Sequence, residues 1–94
     1  MILNYKDKRV ERLYGGEDIK AWSSIRRQAE KRLRILDSAD RLETLRLLPS
    51  NRLEALHGDR QGHYSIRIND RWRICFTWPP KALGPADVEI VDYH

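Results

Sequence analysis

Residues 58–78 read GDRQGHYSIRINDRWRICFTW, and the two alternating halves of this stretch decide the fold. Tyr64, Ile66 and Ile68 recur at every second position, with Ser65, Arg67 and Asn69 between them. Trp72, Ile74, Phe76 and Trp78 recur in the same way, with Arg73, Cys75 and Thr77 between. Such alternation marks strands with one buried face, because successive side chains leave a strand on opposite sides. Asn69-Asp70 supplies turn chemistry. A two-residue turn there sets Arg67 opposite Trp72 and mixes polar with apolar residues on the buried face, so it is rejected. A three-residue loop, 69–71, pairs Ile68 with Trp72, Ile66 with Ile74 and Tyr64 with Phe76. It also sets Arg67 opposite Arg73 and Ser65 opposite Cys75. Like charges face to face are unfavourable. A bound anion would offset them, and so would two solvated side chains that splay apart.

Before this ribbon the periodicity is helical. Residues 1–6 read as a short strand. Asp7 can cap a short helix over 7–14, with Val10, Leu13 and Tyr14 on one stripe and Gly15-Gly16 ending it. The main helix is expected over 22–37, with Ser23 or Ser24 as N-cap and Ile25, Ala29, Leu33 and Leu36 at helical spacing. Its other face carries Arg26, Arg27, Glu30, Lys31 and Arg34, read as solvated and laced by Arg26–Glu30 and Glu30–Arg34 pairs. A further helical turn near Leu42 and Leu45 ends before Pro49. Residues 52–57 read as a short strand. His63 reads as a surface histidine.

After Trp78, three prolines within 79–85 make a loop. Residues 87–93 read as the last strand, with Val88 and Ile90 facing the core. Helices early and strands late indicate an α+β fold. Two N-terminal helices pack on one face of a small, mostly antiparallel twisted sheet. The other face, bearing Arg67 and Arg73, is expected to be open and charged.

Ninety-four residues make a single domain over 1–94. No run of apolar residues is long enough to span a membrane, and the N-terminus lacks the pattern of a signal peptide. The single cysteine, Cys75, suits a reducing cytoplasm and excludes an internal disulfide. With no second cysteine and no histidines at ligand spacing, a structural zinc site is not expected. The net charge is +4, and thirteen of the eighteen cationic residues are Arg. Arg is the better fork for phosphate and stacks on bases, so this balance suggests a polyanion, nucleic acid first.

Four segments together resemble one family: Asn51-Arg52-Leu53-Glu54-Ala55-Leu56-His57-Gly58-Asp59-Arg60, Tyr64-Ser65-Ile66-Arg67-Ile68-Asn69, Trp72-Arg73-Ile74-Cys75-Phe76 and the terminal Val91-Asp92-Tyr93-His94. They look like the HigB toxins of the RelE/ParE superfamily, on the branch that includes GraT. The resemblance implies a compact RelE-like fold and a type II toxin that cleaves mRNA on the ribosome and inhibits translation. It implies no metal or organic cofactor. Its implied partners are a helix-turn-helix antitoxin of the HigA/GraA kind, the ribosome and mRNA, with operator DNA reached only through the antitoxin complex.

Each implied role falls on a residue type suited to it. RNA carries its own nucleophile, the 2′-OH. Arg73 matches the family's phosphate-binding arginine, and a two-point donor suits a developing dianion. Arg67, Arg60, Arg71 and Arg52 are the further cations expected to bind RNA or phosphate. Asp92, Tyr93 and His94 match the C-terminal catalytic cluster, with His94 (ordinary pKa about 6.5) suited to protonate the leaving oxygen. Where some relatives carry a histidine before the G-D-R run, this chain has Glu54, and His57 stands where others have lysine. Either could be the general base, and strand alternation places them on opposite faces. Non-cleaving alternatives are a ParE-like or RNA-binding toxin and a corepressor acting only with its antitoxin.

Overall fold

The computed structural model describes residues 1–92. Helix α1 (Lys8–Tyr14) begins where expected: the Asp7 side chain accepts from the Arg9 backbone N–H, satisfying one of the orphan donors of the first turn. Helix α2 (Arg26–Ser38) starts later than its periodicity suggests. Residues Lys20–Ile25 form a 3₁₀ turn with Trp22 outside helical backbone geometry. Burial decides this. Trp22 is sunk in the core with the Arg9 guanidinium 4.7 Å from its ring, and the chain bends to seat the indole. Ser23 does not cap α2; its hydroxyl donates to Asp18 Oδ1 at 3.1 Å. Helix α3 is short (Leu42–Arg46).

The sheet contains β1 (Glu54–Ala55), β2 (His63–Arg67), β3 (Trp72–Thr77) and β4 (Ala86–Asp92), in spatial order β1-β2-β3-β4 with every pair antiparallel. The β2–β3 register is the expected one: Tyr64 faces Phe76, Ile66 faces Ile74 and Arg67 faces Arg73. The loop closes through Ile68 N–H donating to the Trp72 carbonyl at 2.9 Å. Asn69 Oδ1 accepts from the backbone of Arg71 and Trp72, each at 2.9 Å, so the side chain itself makes the turn. The expected first strand reduces to one parallel bridge between Tyr5 and Val88, flanked by Leu3 N–H on the Pro85 carbonyl at 2.8 Å. The expected strand over 52–57 reduces to the two residues of β1.

One apolar cluster joins helices and sheet. Val10, Leu13, Trp22, Ile25, Ala29, Leu33, Leu36 and Leu45 meet Ile66, Ile68, Ile74, Phe76, Val88 and Ile90. Fully burying one such Leu, Ile or Phe contributes about 1.5–3 kcal/mol. Truncating Ile74 to alanine, at the centre of the sheet, costs about 2–5 kcal/mol. That packing also fixes the opposite face, because parity sends Ser65, Arg67, Arg73 and Cys75 to the side away from the helices. No helix among the described residues is long and apolar enough to cross a membrane.

Candidate active site

Arg67 and Arg73 are cross-strand neighbours on the face away from the helices. Their repulsion is offset by separate protein partners. Arg67 Nη2 donates to Asp70 in the loop that follows it. Arg73 Nε donates to Ser65 Oγ at 2.8 Å, and its Nη2 donates to the carbonyls of Arg52 at 2.5 Å and Ser65 at 3.3 Å. Its Nη1 lies 3.8 Å from Glu54 Oε1.

This face is less open than the sequence suggests. Arg73 is only 7% exposed, and Ser65 and Cys75 are buried beside it. Among the described residues, Arg52 and Glu54, in the segment leading into β1, both reach the guanidinium. Asn51 anchors that segment. It is fully buried, its Nδ2 donates to the Leu45 carbonyl at 3.0 Å, and its Oδ1 accepts from Arg32 Nη1 at 2.9 Å. Arg52, next in the chain, takes a left-handed backbone (φ 44°, ψ 55°) that aims its carbonyl at Arg73. Burial, and then the Arg67 charge, hold the Arg32 guanidinium below its ordinary pKa. Cations therefore crowd this end of the face.

The other expected residues fall into distinct groups. Glu54 lies in β1 opposite Ser65, beside Arg73, with its side chain half exposed. His57 is exposed and lies beyond β1, preceding the 3₁₀ turn Gly58–Arg60. Arg60 reaches across the sheet to Glu89 Oε2 at 3.0 Å, and Lys6 approaches the same oxygen at 3.5 Å. Arg71 grips Asp92 through three hydrogen bonds of 3.0, 3.0 and 2.7 Å, with its guanidinium 5.4 Å from the Trp72 ring. Tyr93 and His94 lie outside the described residues.

Three contributors escaped the sequence reading: Ser65, the Arg52 carbonyl and Glu89. Alternation did place Ser65 on the arginine face, which was its one available signal. His63, read as a surface histidine, is half-buried, and among the described residues its Nδ1 has no hydrogen-bond partner. Burial pushes the Cys75 thiol pKa up despite nearby Arg60. Among the described residues, no three His, Cys, Asp or Glu side chains are grouped as a metal ion would require.

Chemically, the site joins a nearly buried guanidinium to a half-exposed carboxylate. The neutral acceptors on Nε and Nη2 fix the orientation of that guanidinium. A carboxylate at its side can accept a proton.

Comparison with known proteins bears on what this arrangement serves. The family model for the RelE-like toxin of the type II toxin–antitoxin system HigB matches residues 3–94. The chain is 42% identical over 82 residues to Toxin HigB-1 of Vibrio cholerae serotype O1, covering 83% of this chain and 84% of that protein.

Proposed function

The chain belongs to the HigB-like family of RelE-like type II toxins, and from that premise we propose that it is a ribosome-dependent mRNA endoribonuclease of the cytoplasm. Membership implies an antitoxin partner; a helix-turn-helix protein of the HigA/GraA kind is the proposed one. The observation that carries the enzymatic reading is Glu54 beside Arg73, a carboxylate next to a cation suited to phosphate.

In the proposed reaction the 2′-OH of a ribose attacks the adjoining phosphorus. Glu54 takes the proton from the attacking oxygen, and Arg73 stabilises charge on the phosphoryl oxygens. The P–O5′ bond breaks, and His94 gives the leaving oxygen its proton. The products are a 2′,3′-cyclic phosphate and a 5′-OH. Tyr93 orients the scissile link, and Asp92 belongs to the same C-terminal cluster. Arg67, Arg60 and Arg52 contribute positive charge along the RNA path. His57, exposed and outside β1, is the reserve candidate for the base.

Primer extension on mRNA from a translating extract, with and without ribosomes, tests the proposal. New 5′ ends that appear only with ribosomes, and vanish with Arg73→Ala, are expected. Growth arrest with intact mRNA would instead favour the non-cleaving alternatives.

A further inference from the structure

Arg32 is a half-buried cation with no acidic partner among the described residues. Its hydrogen bonds there go to two neutral oxygens: Nη1 donates to Asn51 Oδ1 at 2.9 Å and to Ser50 Oγ at 3.3 Å. Nε and Nη2 remain. Among the described residues only His63 Nδ1 is both buried and without a hydrogen bond, so these two nitrogens reach solvent. Arg67 stands at the same corner of the molecule. Gln28, one helical turn before Arg32 on α2, accepts from Asn69 Nδ2 at 3.4 Å, and Asn51 leads into β1 beside β2. These two links bracket the end of β2, where Arg67 lies. Its Nη2 donates to Asp70, its Nε and Nη1 make no hydrogen bond among the described residues, and its side chain is 32% exposed. We propose that Arg32 and Arg67 form a second anion site, which takes one phosphate of a single-stranded RNA next to the scissile link. The inference deepens the RNA-cleaving reading and rests on it for the identity of the strand. The site uses no atom of Arg73.

Two costs fall on this pair. Burial strips water from the Arg32 charge, and the Arg67 charge adds repulsion; both hold the Arg32 guanidinium below its ordinary pKa. A desolvated charge is costly unless it is paired. Asp70 is a weak counter-ion, because its side chain is 98% exposed and an ion pair in water contributes little. A phosphodiester offers two non-bridging oxygens that share a charge kept throughout the neutral range. Each guanidinium can take one oxygen, and its planar fork suits the task. RNA is the favoured source because Arg67 faces Arg73 directly across the ladder. In the proposed reaction the scissile phosphate meets Arg73, so a neighbouring phosphate falls to Arg67, and Arg32 continues that row onto α2. An acidic side chain of a protein partner carries the same charge but lacks the row.

The test is binding of a single-stranded oligonucleotide with 2′-deoxyribose throughout, which offers phosphates but no nucleophile, measured from low to high salt. A thermal melt shows that each variant folds. Arg32→Gln and Arg67→Gln are each expected to weaken binding several-fold at low salt. The double variant should lose little more than either single one, because the shared site is already broken. Its log–log salt slope should flatten by about 0.7, the value for one phosphate of a single strand. A flattening of about 1.4 would give each arginine its own phosphate and overturn the shared site. So would losses that add, as expected if Arg32 acted only through Asn51. Should Arg32→Gln fail to fold, Arg32→Lys replaces it: the charge stays, the fork goes, and binding should weaken with the slope unchanged. Folded variants that bind like the parent overturn the inference. If those variants instead lose the antitoxin, the pair belongs to an acidic group of that partner. Cleavage of mRNA on programmed ribosomes by the parent is scored separately. If it occurs while the variants bind normally, only this site fails. If mRNA stays intact while the variants lose binding as expected, the cleavage reading fails and the site stands as an RNA contact.

Discussion

Glu54 Oε1 and Arg73 Nη1 stand 3.8 Å apart, too far for a hydrogen bond yet close enough for strong attraction. Arg73 is nearly buried and Glu54 is half exposed, so the carboxylate is the partner open to solvent. In the proposed reaction it lies beside the guanidinium that meets the RNA phosphate. Glu54→Gln keeps the shape and removes the charge. RNA affinity should rise a few-fold, because a competing anion is gone. Cleavage should fall at least about a hundredfold, as for a lost general base. Binding of a 2′-deoxy substrate analogue and single-turnover cleavage measure the two effects separately. A parent cleavage rate in Glu54→Gln would move the base assignment to His57.

Arg71 and Asp92 form the pair that closes the end of the β3–β4 ladder, where Trp72 faces Asp92. Arg71 was expected to meet RNA, but its guanidinium is engaged with this carboxylate. Asp92 belongs to the proposed C-terminal catalytic cluster, so this pair is expected to bear on cleavage. Arg71→Ala and Asp92→Asn should each lower cleavage, and the double variant should be no worse than the more damaging single one. Stability should change little, since ion pairs exposed to solvent contribute little. A double-mutant cycle on the cleavage rate checks the coupling. Independent, additive losses would show that Arg71 acts on RNA directly.

The β2–β3 register was legible because parity and loop length leave one solution. Tyr64, Ile66 and Ile68 must share a face with Trp72, Ile74 and Phe76, and that places Arg67 opposite Arg73. The Asp7 cap was legible for a similar local reason. Periodicity reports which side a residue faces, not what lies over it. Among the described residues, Arg52 and Glu54 reach Arg73, set by Asn51 bonding to the distant Leu45 carbonyl and to Arg32. Nothing periodic encodes those contacts. The same holds for Glu54 and His57. Alternation cannot be carried to residue 57 when β1 ends at Ala55. The late start of α2 depends on where the core can accept Trp22, which spacing does not express.

Arg52 separates a backbone role from a side-chain role. Its carbonyl serves Arg73, while its left-handed φ of 44° is strained for any residue with a Cβ. Arg52→Gly relieves the strain but gives the unfolded chain more freedom, so stability should stay within about 0.5 kcal/mol of the parent. Arg52→Val should lose about 1–3 kcal/mol, since a β-branched side chain fits this conformation poorly. In Arg52→Gly the carbonyl remains and one cation goes. Cleavage at saturation should hold, RNA affinity should drop, and the salt dependence of binding should flatten by about 0.7 in log–log slope. Denaturant melts and binding at several salt concentrations measure these. An unchanged salt slope would remove the Arg52 side chain from the RNA path.

Tyr14 and Asp37 tie the end of α1 to the end of α2, and their titrations make that tie readable. Burial pushes the Asp37 carboxyl up, but hydrogen bonds from the Ile2 N–H and the Tyr14 hydroxyl, each at 2.8 Å, outweigh it and hold its pKa below 3.8. A depressed carboxylate contributes stability that is present above its unfolded value and lost as pH falls through the folded value. Tyr14 moves the other way. Burial and then the hydrogen bond to Asp37 push its pKa from 10.0 up to about 12. Its contribution is fully present below pH 10.0 and lost as pH climbs towards 12. Tyr14→Phe should therefore cost about 1 kcal/mol near neutrality, the lower end for a hydrogen bond to a charged group because the pair is only partly buried. Above pH 10 the variant should lose stability less steeply than the parent, with the residual slope left to Tyr5, whose hydroxyl is also raised, first by burial and then by Asp37. Below pH 4 it should also be less steep, because Asp37 then keeps only the Ile2 N–H and the nearby N-terminal charge. Urea melts across this pH range provide the curve, and parallel profiles for parent and variant would show that the tie contributes nothing.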